Sequence, residues 1–596
     1  MRVFIKALRW GQWKSNLPFT FSMSSAPGSG AKKLGQTSTM VSMSRAAAGD
    51  YTVIREGEAE ILIPSNNSVF YNKAQVNNRD MSIAVLRTYI SRHKEEYAAK
   101  FNLKNKFQNE VTNLEKCQGE LRAPIVLEAL AASGLRAIRY ACEVDGIGQV
   151  LAIDKDKVSI EICKKNILLN GPATCSKVAT HLGDARVYML THPKEFDVVD
   201  LDPYGTPSIF LDSAVQSVAD GGLLMCTATD LAVLCGEDRD VCYSKYGSYP
   251  LKGKYCHEMA LRILLACIES HANRHKRFIV PVLSVYMDYY IRVFVRVYTS
   301  PIAMKKTTLK LAYVYQCVAC DSFHLQCIGR ATTKNNVERY APAFGPVVPQ
   351  ACSDCGKQFQ VGGPIWSSPI HDQAWVESIL ADVRSMKERY PAYDRISSVL
   401  TAISEELSDV PLFLSLHNLC RTLKCTTPPS AAFQSVVINA GYSVSGTHIT
   451  PLGFKSNAPM HIIWDIMRCW VKNHPLKSQP AGEPGTVILA KEPSFLVRFL
   501  FLVVISDVML LMARWTCGLT CEVNFTQTST INKTRAKKAA RFLLNPEKSW
   551  GPMLRAGRLI KTKHRQIGEA AGAEVTERTL NSHENFTNDP KFLGNK

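Results

Sequence analysis

No aspartate or glutamate occurs in the first 49 residues, although seven lysines and arginines do. A segment so rich in Ser and Ala, and so free of acid, is not composed like a folded soluble domain. It resembles a mitochondrial transit segment, and Met23, Met40 and Met43 offer later starts that omit it. Cysteine is dilute: 19 in 596 residues, an odd number, most of them single in apolar surroundings. That excludes a small secreted disulfide scaffold and fits free thiols in a reducing compartment. Internal repeats are absent. So is a dinucleotide GxGxxG, because the turn in "LEALAASGLRAIRYA" (127–141) carries one glycine only.

What is present is basic and apolar. The net charge is +19 with a pI near 9.1, which suits a polyanionic partner, nucleic acid before an acidic membrane surface. At 46% hydrophobic and 21% charged, the composition is that of a soluble globular protein with room for several domains. Between 121 and 300, "PIVLEAL", "QVLAIDKD", "FDVVDLDP", "GGLLMCTATD" and "RFIVPVLSV" read as strands. Helical stretches such as "KVSIEICKKNILLN" and "CHEMALRILLACIESHANR" alternate with them. This rhythm predicts a parallel sheet covered on both faces.

Ligands in such folds sit at the carboxyl ends of the strands. Ala132, Ser133 and Gly134 form a small-residue turn into a helix, where free N–H groups await. Twenty residues past Gly134 a strand ends at Asp154, whose carboxylate can accept both hydroxyls of a ribose. The next strand region ends at "HLGDA". Asp184 and the backbone of Ala185 can bond an adenine amine and ring nitrogen there. Three such signals at successive strand ends predict an adenosyl cofactor.

"DLDPYGTP" (200–207) places two carboxylates before a Pro-Tyr-Gly turn. An exocyclic base amine is a poor nucleophile, because its lone pair is delocalised into the ring. A fixed acceptor polarises the N–H and frees that pair. Asp202 is the expected acceptor, Pro203 stiffens the turn, and Tyr204 can stack on the base. Asp200 is expected to support the turn or the cofactor. The "SIFLDSAVQSVADGG" that follows reads as a helix ending at glycines.

"FYNKAQVNNRDMSIAVLR", "EALAASGLRAIRYA", "DLDPYGTPSIFLDSAVQSVADGGLLMCTATDLAVLCG" and "YCHEMALRILL" together resemble the tRNA guanine-26-N2 dimethyltransferase family. "GTHITPLGFKSNAP", "IIWDIMRCW" and "FLLNPEKSWGP" extend the likeness. The resemblance implies S-adenosyl-L-methionine as cofactor and tRNA as substrate. It implies that Arg79 and Arg136 help hold the cofactor with Asp154, Asp184 and Ala185, and that Asp202 is catalytic. The Asp-Pro-aromatic motif alone fits DNA adenine or ribosomal RNA equally well. A tRNA-binding protein without turnover would keep the same basic surface.

Cys317 and Cys320 in "CVAC", with Cys352 and Cys355 in "CSDC", have the spacing of a split four-thiolate zinc site. The set leaves no open position for chemistry, so its expected role is structural. Residues 532–565 hold eleven Lys/Arg and one acid, with Phe542 and Trp550 among them, and read as an RNA-binding tail.

The expected organisation is a transit or disordered segment at 1–49 and a Rossmann-like class I methyltransferase domain at 50–300. An α+β zinc-containing, tRNA-binding domain follows at 301–480, a linker with a hydrophobic insertion at 481–531, and the basic tail at 532–596. The apolar stretch 494–521 fits either a single membrane helix or a soluble insertion. Asp507 near its centre makes membrane insertion marginal, and one span would separate the basic tail from the core, so no stable membrane association is expected. The expected locations are mitochondrion and nucleus or cytoplasm.

Overall fold

The computed structural model describes residues 51–66, 68–108, 122–474, 480–492, 541–546 and 550–551. The N-terminal segment 1–49, the insertion 494–521 and most of the basic tail lie outside the described residues. The described residues open with an antiparallel hairpin, β1 (Tyr51–Glu56) and β2 (Ala59–Pro64), followed by α1 (Val76–Gln108). The sheet strands are β3 (Ile125–Glu128), β4 (Gln149–Asp154), β5 (Val178–Leu182), β6 (Phe196–Leu201), β7 (Val218–Ala228), β8 (Arg277–Met287) and β9 (Tyr290–Thr299). Their spatial order is β5-β4-β3-β6-β7-β9-β8.

Pairings from β5 to β7 are parallel, as the alternating rhythm predicts. The far edge differs from the all-parallel expectation. There β9 runs antiparallel to both β7 and β8. A two-residue turn, Asp288–Tyr289, joins β8 to β9, and so short a link admits only an antiparallel pair. The sequence reading missed β9 although "YIRVFVRVYT" is rich in β-branched and aromatic residues. The helix expected over 208–222 is also shorter. A 3-10 turn (Ser208–Phe210) leads into a helix at Leu211–Ser217, and "VADGG" begins β7.

Successive side chains of each strand enter opposite cores. Leu127, Val199 and Leu224 face one side, packed with Leu261, Leu264 and Ile268 of helix Cys256–Arg274. Val126, Val198 and Leu223 face the other, against Ile83 and Leu86 of α1 and Ile138 of α2 (Leu135–Glu143). Val314, Ile365 and Trp366 belong to the first core, so strands Leu311–Cys317 and Phe359–Trp366 pack into it from beyond residue 300. A third core gathers the four CxxC cysteines with Leu419, Phe433 and Trp464.

Neighbouring strands β4 and β6 flank β3, so the chain reverses its direction of travel across the sheet at β3. A crevice opens at the carboxyl ends of these strands, as at other topological switch points.

Candidate active site

The crevice is a cleft of about 700 Å³, within the range of small-molecule sites. Arg79, Arg136, Asp154, Asp184, Ala185 and Asp202 all line it.

The turn after β3 is built to approach a ligand closely. Ala132 has φ 45° and Gly134 has φ 77°. A Cβ at Gly134 would stand 2.4 Å from Cys163 Sγ, so only glycine fits. Asp154 pins the turn by accepting the Ala132 N–H at 2.9 Å and, through its other oxygen, the Asp156 N–H at 2.9 Å. A carboxylate has about four acceptor positions, so two remain for a ligand. Asp184 caps the helix Ala185–Thr191 through the Arg186 N–H at 2.8 Å. Its bonds to Arg186 hold it below the usual carboxylate range.

At the other end stand two aspartates with different surroundings. Asp200 is fully buried, accepting from Tyr140 Oη at 2.6 Å and Arg292 Nη2 at 2.7 Å. Burial opposes its charge, but Arg292 and Arg136 keep its carboxyl below the ordinary value. Asp200 therefore supports the site from beneath and is absent from the cleft lining. Asp202 accepts from Arg136 through Oδ2, while its buried Oδ1 has no hydrogen-bond partner among the described residues.

Arg136 is the hub of this end. It donates to Asn78 Oδ1 at 3.0 Å and Ser82 Oγ at 3.1 Å, and lies 3.6 Å from Asp200 and 3.9 Å from Glu128. Burial works against its charge, but the surrounding carboxylates, Asp200 and Asp202 foremost, hold its proton more firmly than usual. Arg79 is bidentate to Glu56 at 2.5 Å and donates to the Asn72 carbonyl at 3.1 Å. Its guanidinium thus braces the cleft wall through Asn72. Tyr204 packs edge-on against Phe70, ring centres 4.6 Å apart, at the mouth.

Sequence reasoning missed Glu128, Asn72, Phe70 and Tyr289, which also line the cleft or its rim. Glu128 closes β3 as Asp154 closes β4, so the strand-end signal was available. Its burial raises its carboxyl well above the ordinary range.

Away from the cleft, the Cys317, Cys320, Cys352 and Cys355 sulfurs are buried and lie within 4.8 Å of one another. Cys235, Cys256 and His257 form a second, half-buried group of the same compactness. Among the described residues no helix is long and apolar enough to cross a membrane.

Residues 49–468 match the family model described as N2,N2-dimethylguanosine tRNA methyltransferase. The chain belongs to this family. A tRNA (guanine(26)-N(2))-dimethyltransferase 1 of Arabidopsis thaliana is 59% identical over 575 residues, covering 90% of this chain and 92% of that protein. A relative from Saccharomyces cerevisiae, named as mitochondrial, is 32% identical over 540 residues, with 85% and 92% covered. Among solved structures, Trm1 from Pyrococcus horikoshii, in complex with S-adenosyl-L-methionine, superposes with a TM-score of 0.56 at 28% identity. That match covers 70% of this chain and 99% of the archaeal one. The N2,N2-dimethylguanosine tRNA methyltransferase family thus accounts for the sheet, whose fold is Rossmann-like.

Proposed function

We propose that this chain methylates the exocyclic N2 of guanine 26 in tRNA, once and then again, using S-adenosyl-L-methionine, with Asp202 as the proton acceptor. Family membership supports the reaction. The buried Oδ1 of Asp202 at the end of the cleft, without a hydrogen-bond partner among the described residues, is the observation that carries the residue assignment. Asp154, Asp184 and Ala185 would hold the adenosine half of the cofactor, and the Ala132–Gly134 turn would admit it. The cofactor supplies a methyl group on a sulfonium, whose C–S electron pair returns to sulfur as the N–C bond forms.

Arg136 fixes Asp202 by one oxygen and so aims the other. Oδ1 accepts the amine hydrogen bond, raises the electron density on N2 and takes the proton as the bond to carbon forms. The side chain is 13% exposed overall although Oδ1 itself is buried, so the proton passes to water through the open cleft once the product base withdraws, before a second round. Methyl transfer needs mostly alignment and charge placement, which rigid strand ends provide. The guanine must leave its stack to reach Asp202, at a cost of a few kcal/mol.

The cysteine set fits a structural zinc. Thiolates about 2.3 Å from a tetrahedral zinc stand roughly 3.8 Å apart. Cys317–Cys355 and Cys320–Cys352 sulfurs are 3.3 and 3.8 Å apart. Glycine at 356, with φ 76°, closes the second knuckle, and its N–H donates to the Cys352 carbonyl at 2.8 Å. The zinc would stabilise an α+β region at 301–480 that, with the basic tail, binds tRNA. The acid-free N-terminus supports a mitochondrial form, and its later methionines a nuclear or cytoplasmic one.

The test is methyl transfer from labelled cofactor to unmodified tRNA, followed by nucleoside identification. Dimethylguanosine at position 26 is expected. Label on adenine, or none, would overturn the reading.

A further inference from the structure

The β8–β9 turn is held from three directions. Asp288 occupies it at φ 52°. Its carboxylate accepts from Asn77 Nδ2 at 3.2 Å, from Arg395 and from the indole Nε1 of Trp550 at 3.0 Å. Trp550 comes from the far end of the sequence. Arg395 lies 5.7 Å from its ring centre and also donates to the Leu544 carbonyl at 3.1 Å. Arg541 pairs with Glu405 at 2.7 Å, so this C-terminal segment is fastened at both of its described ends.

The next residue on each side reaches the cleft. The Gly551 carbonyl accepts from Asn72 Nδ2 at 3.1 Å, and the same amide donates to the Tyr289 hydroxyl at 2.9 Å. Asn72 and Tyr289 line the cleft with Asp202. Two branches therefore run from the C-terminal segment to Tyr289. One passes through the indole and Asp288, a peptide bond away; the other passes through Gly551 and Asn72. Tyr289 and Asp202 line one cleft, and burial and then the Asp202 carboxylate push the Tyr289 phenol up.

We propose that Trp550 is a positioning residue: by latching onto Asp288 it sets the Asn72–Tyr289 wall beside Asp202, against which the target base is aligned. This rests on the methyltransferase reading above. Among the described residues no hydrogen bond or ion pair joins the latch to Asp154 or Asp184, so its loss should misalign the base and leave cofactor binding intact.

The test uses the full chain with 3-fluorotyrosine at position 289. Trp550→Ala should shift the Tyr289 fluorine resonance. It should also slow single-turnover methyl transfer at saturating tRNA and cofactor by about tenfold to a hundredfold, the scale of a misplaced reactant. Cofactor affinity and Tm should stay at wild-type values. The Trp550→Ala and Tyr289→Phe losses should combine to less than their product, because both act through one wall. An unmoved fluorine resonance, an unchanged rate, multiplicative losses, or a rate loss matched by lost Tm would each overturn the latch. A wild type without turnover would instead overturn the methyltransferase reading, and the fluorine resonance would still decide on Trp550.

Discussion

Arg136 grips one carboxylate oxygen of Asp202 and leaves the other, buried, without a hydrogen-bond partner among the described residues. A buried acceptor left open is costly in a resting fold. It is what a site needs if the missing donor arrives with the substrate. Replacing Asp202 by Ala should leave tRNA binding in place and lower methylation by roughly 10²–10⁴-fold, the usual worth of a positioned base. Filter binding and methyl incorporation on the same preparations check both halves. Near-normal turnover would remove Asp202 from the assigned role.

Asp154 gives the complementary case. Asp154→Ala should weaken cofactor affinity by roughly 1.5–3 kcal/mol, as for a charged hydrogen-bonded contact. It also frees the Ala132 N–H, so a small fall in Tm should accompany the loss. Calorimetric titration with S-adenosyl-L-methionine checks this, and unchanged affinity would place the ribose elsewhere.

One zinc per chain is expected, lost when Cys317 and Cys352 are both changed to Ser. Trp464 reports on the event, because its indole donates to Ser322 Oγ at 3.1 Å within the same core. Chelation should change the tryptophan emission before the methyltransferase sheet unfolds, since metal binding and local folding are coupled. Elemental analysis finding no zinc would count against the site.

His371 supplies a pH dependence. It is fully buried, its Nδ1 accepts the Ser284 N–H at 3.3 Å, and burial holds its pKa well below the ordinary value. Folded His371 is therefore neutral, while in the unfolded chain it titrates near 6.5. Below that pH the unfolded state takes up a proton the folded state refuses. Stability then falls as pH falls, by up to about 1.4 kcal/mol per pH unit. His371→Gln lacks this linkage. The stability gap between wild type and variant, read from urea midpoints, should narrow from about pH 7 to about pH 5. A constant gap would mean that His371 takes up its proton in the fold as readily as in the unfolded chain.

Much of the site was legible because strand ends can be read from the chain. Apolar runs stop at Asp154, before Asp184 and at Leu201, so three loops had to meet at one sheet edge. The partners of those residues were not legible. Asp200 meets Tyr140 and Arg292 across 60 and 92 positions, and Arg136 meets Asn78 across 58. Periodicity reports which face a residue occupies, not which distant side chain awaits it there. The antiparallel β9 escaped for a similar reason: its direction is fixed by the turn at Asp288–Tyr289, and that turn carries no glycine to announce it.

The bond between Asn72 and Gly551 joins residues 479 positions apart. Synthesis runs from the N-terminus at about 5–20 residues per second, so the roughly 250 residues between β9 and Trp550 take about 13–50 s to add. For that interval a nascent chain has every strand of its sheet but not the segment that steadies Tyr289. Completion of the base end of the cleft thereby waits on the synthesis of Trp550 and Gly551, and a nascent polypeptide that has not reached them is a methyl-donor site without a finished wall.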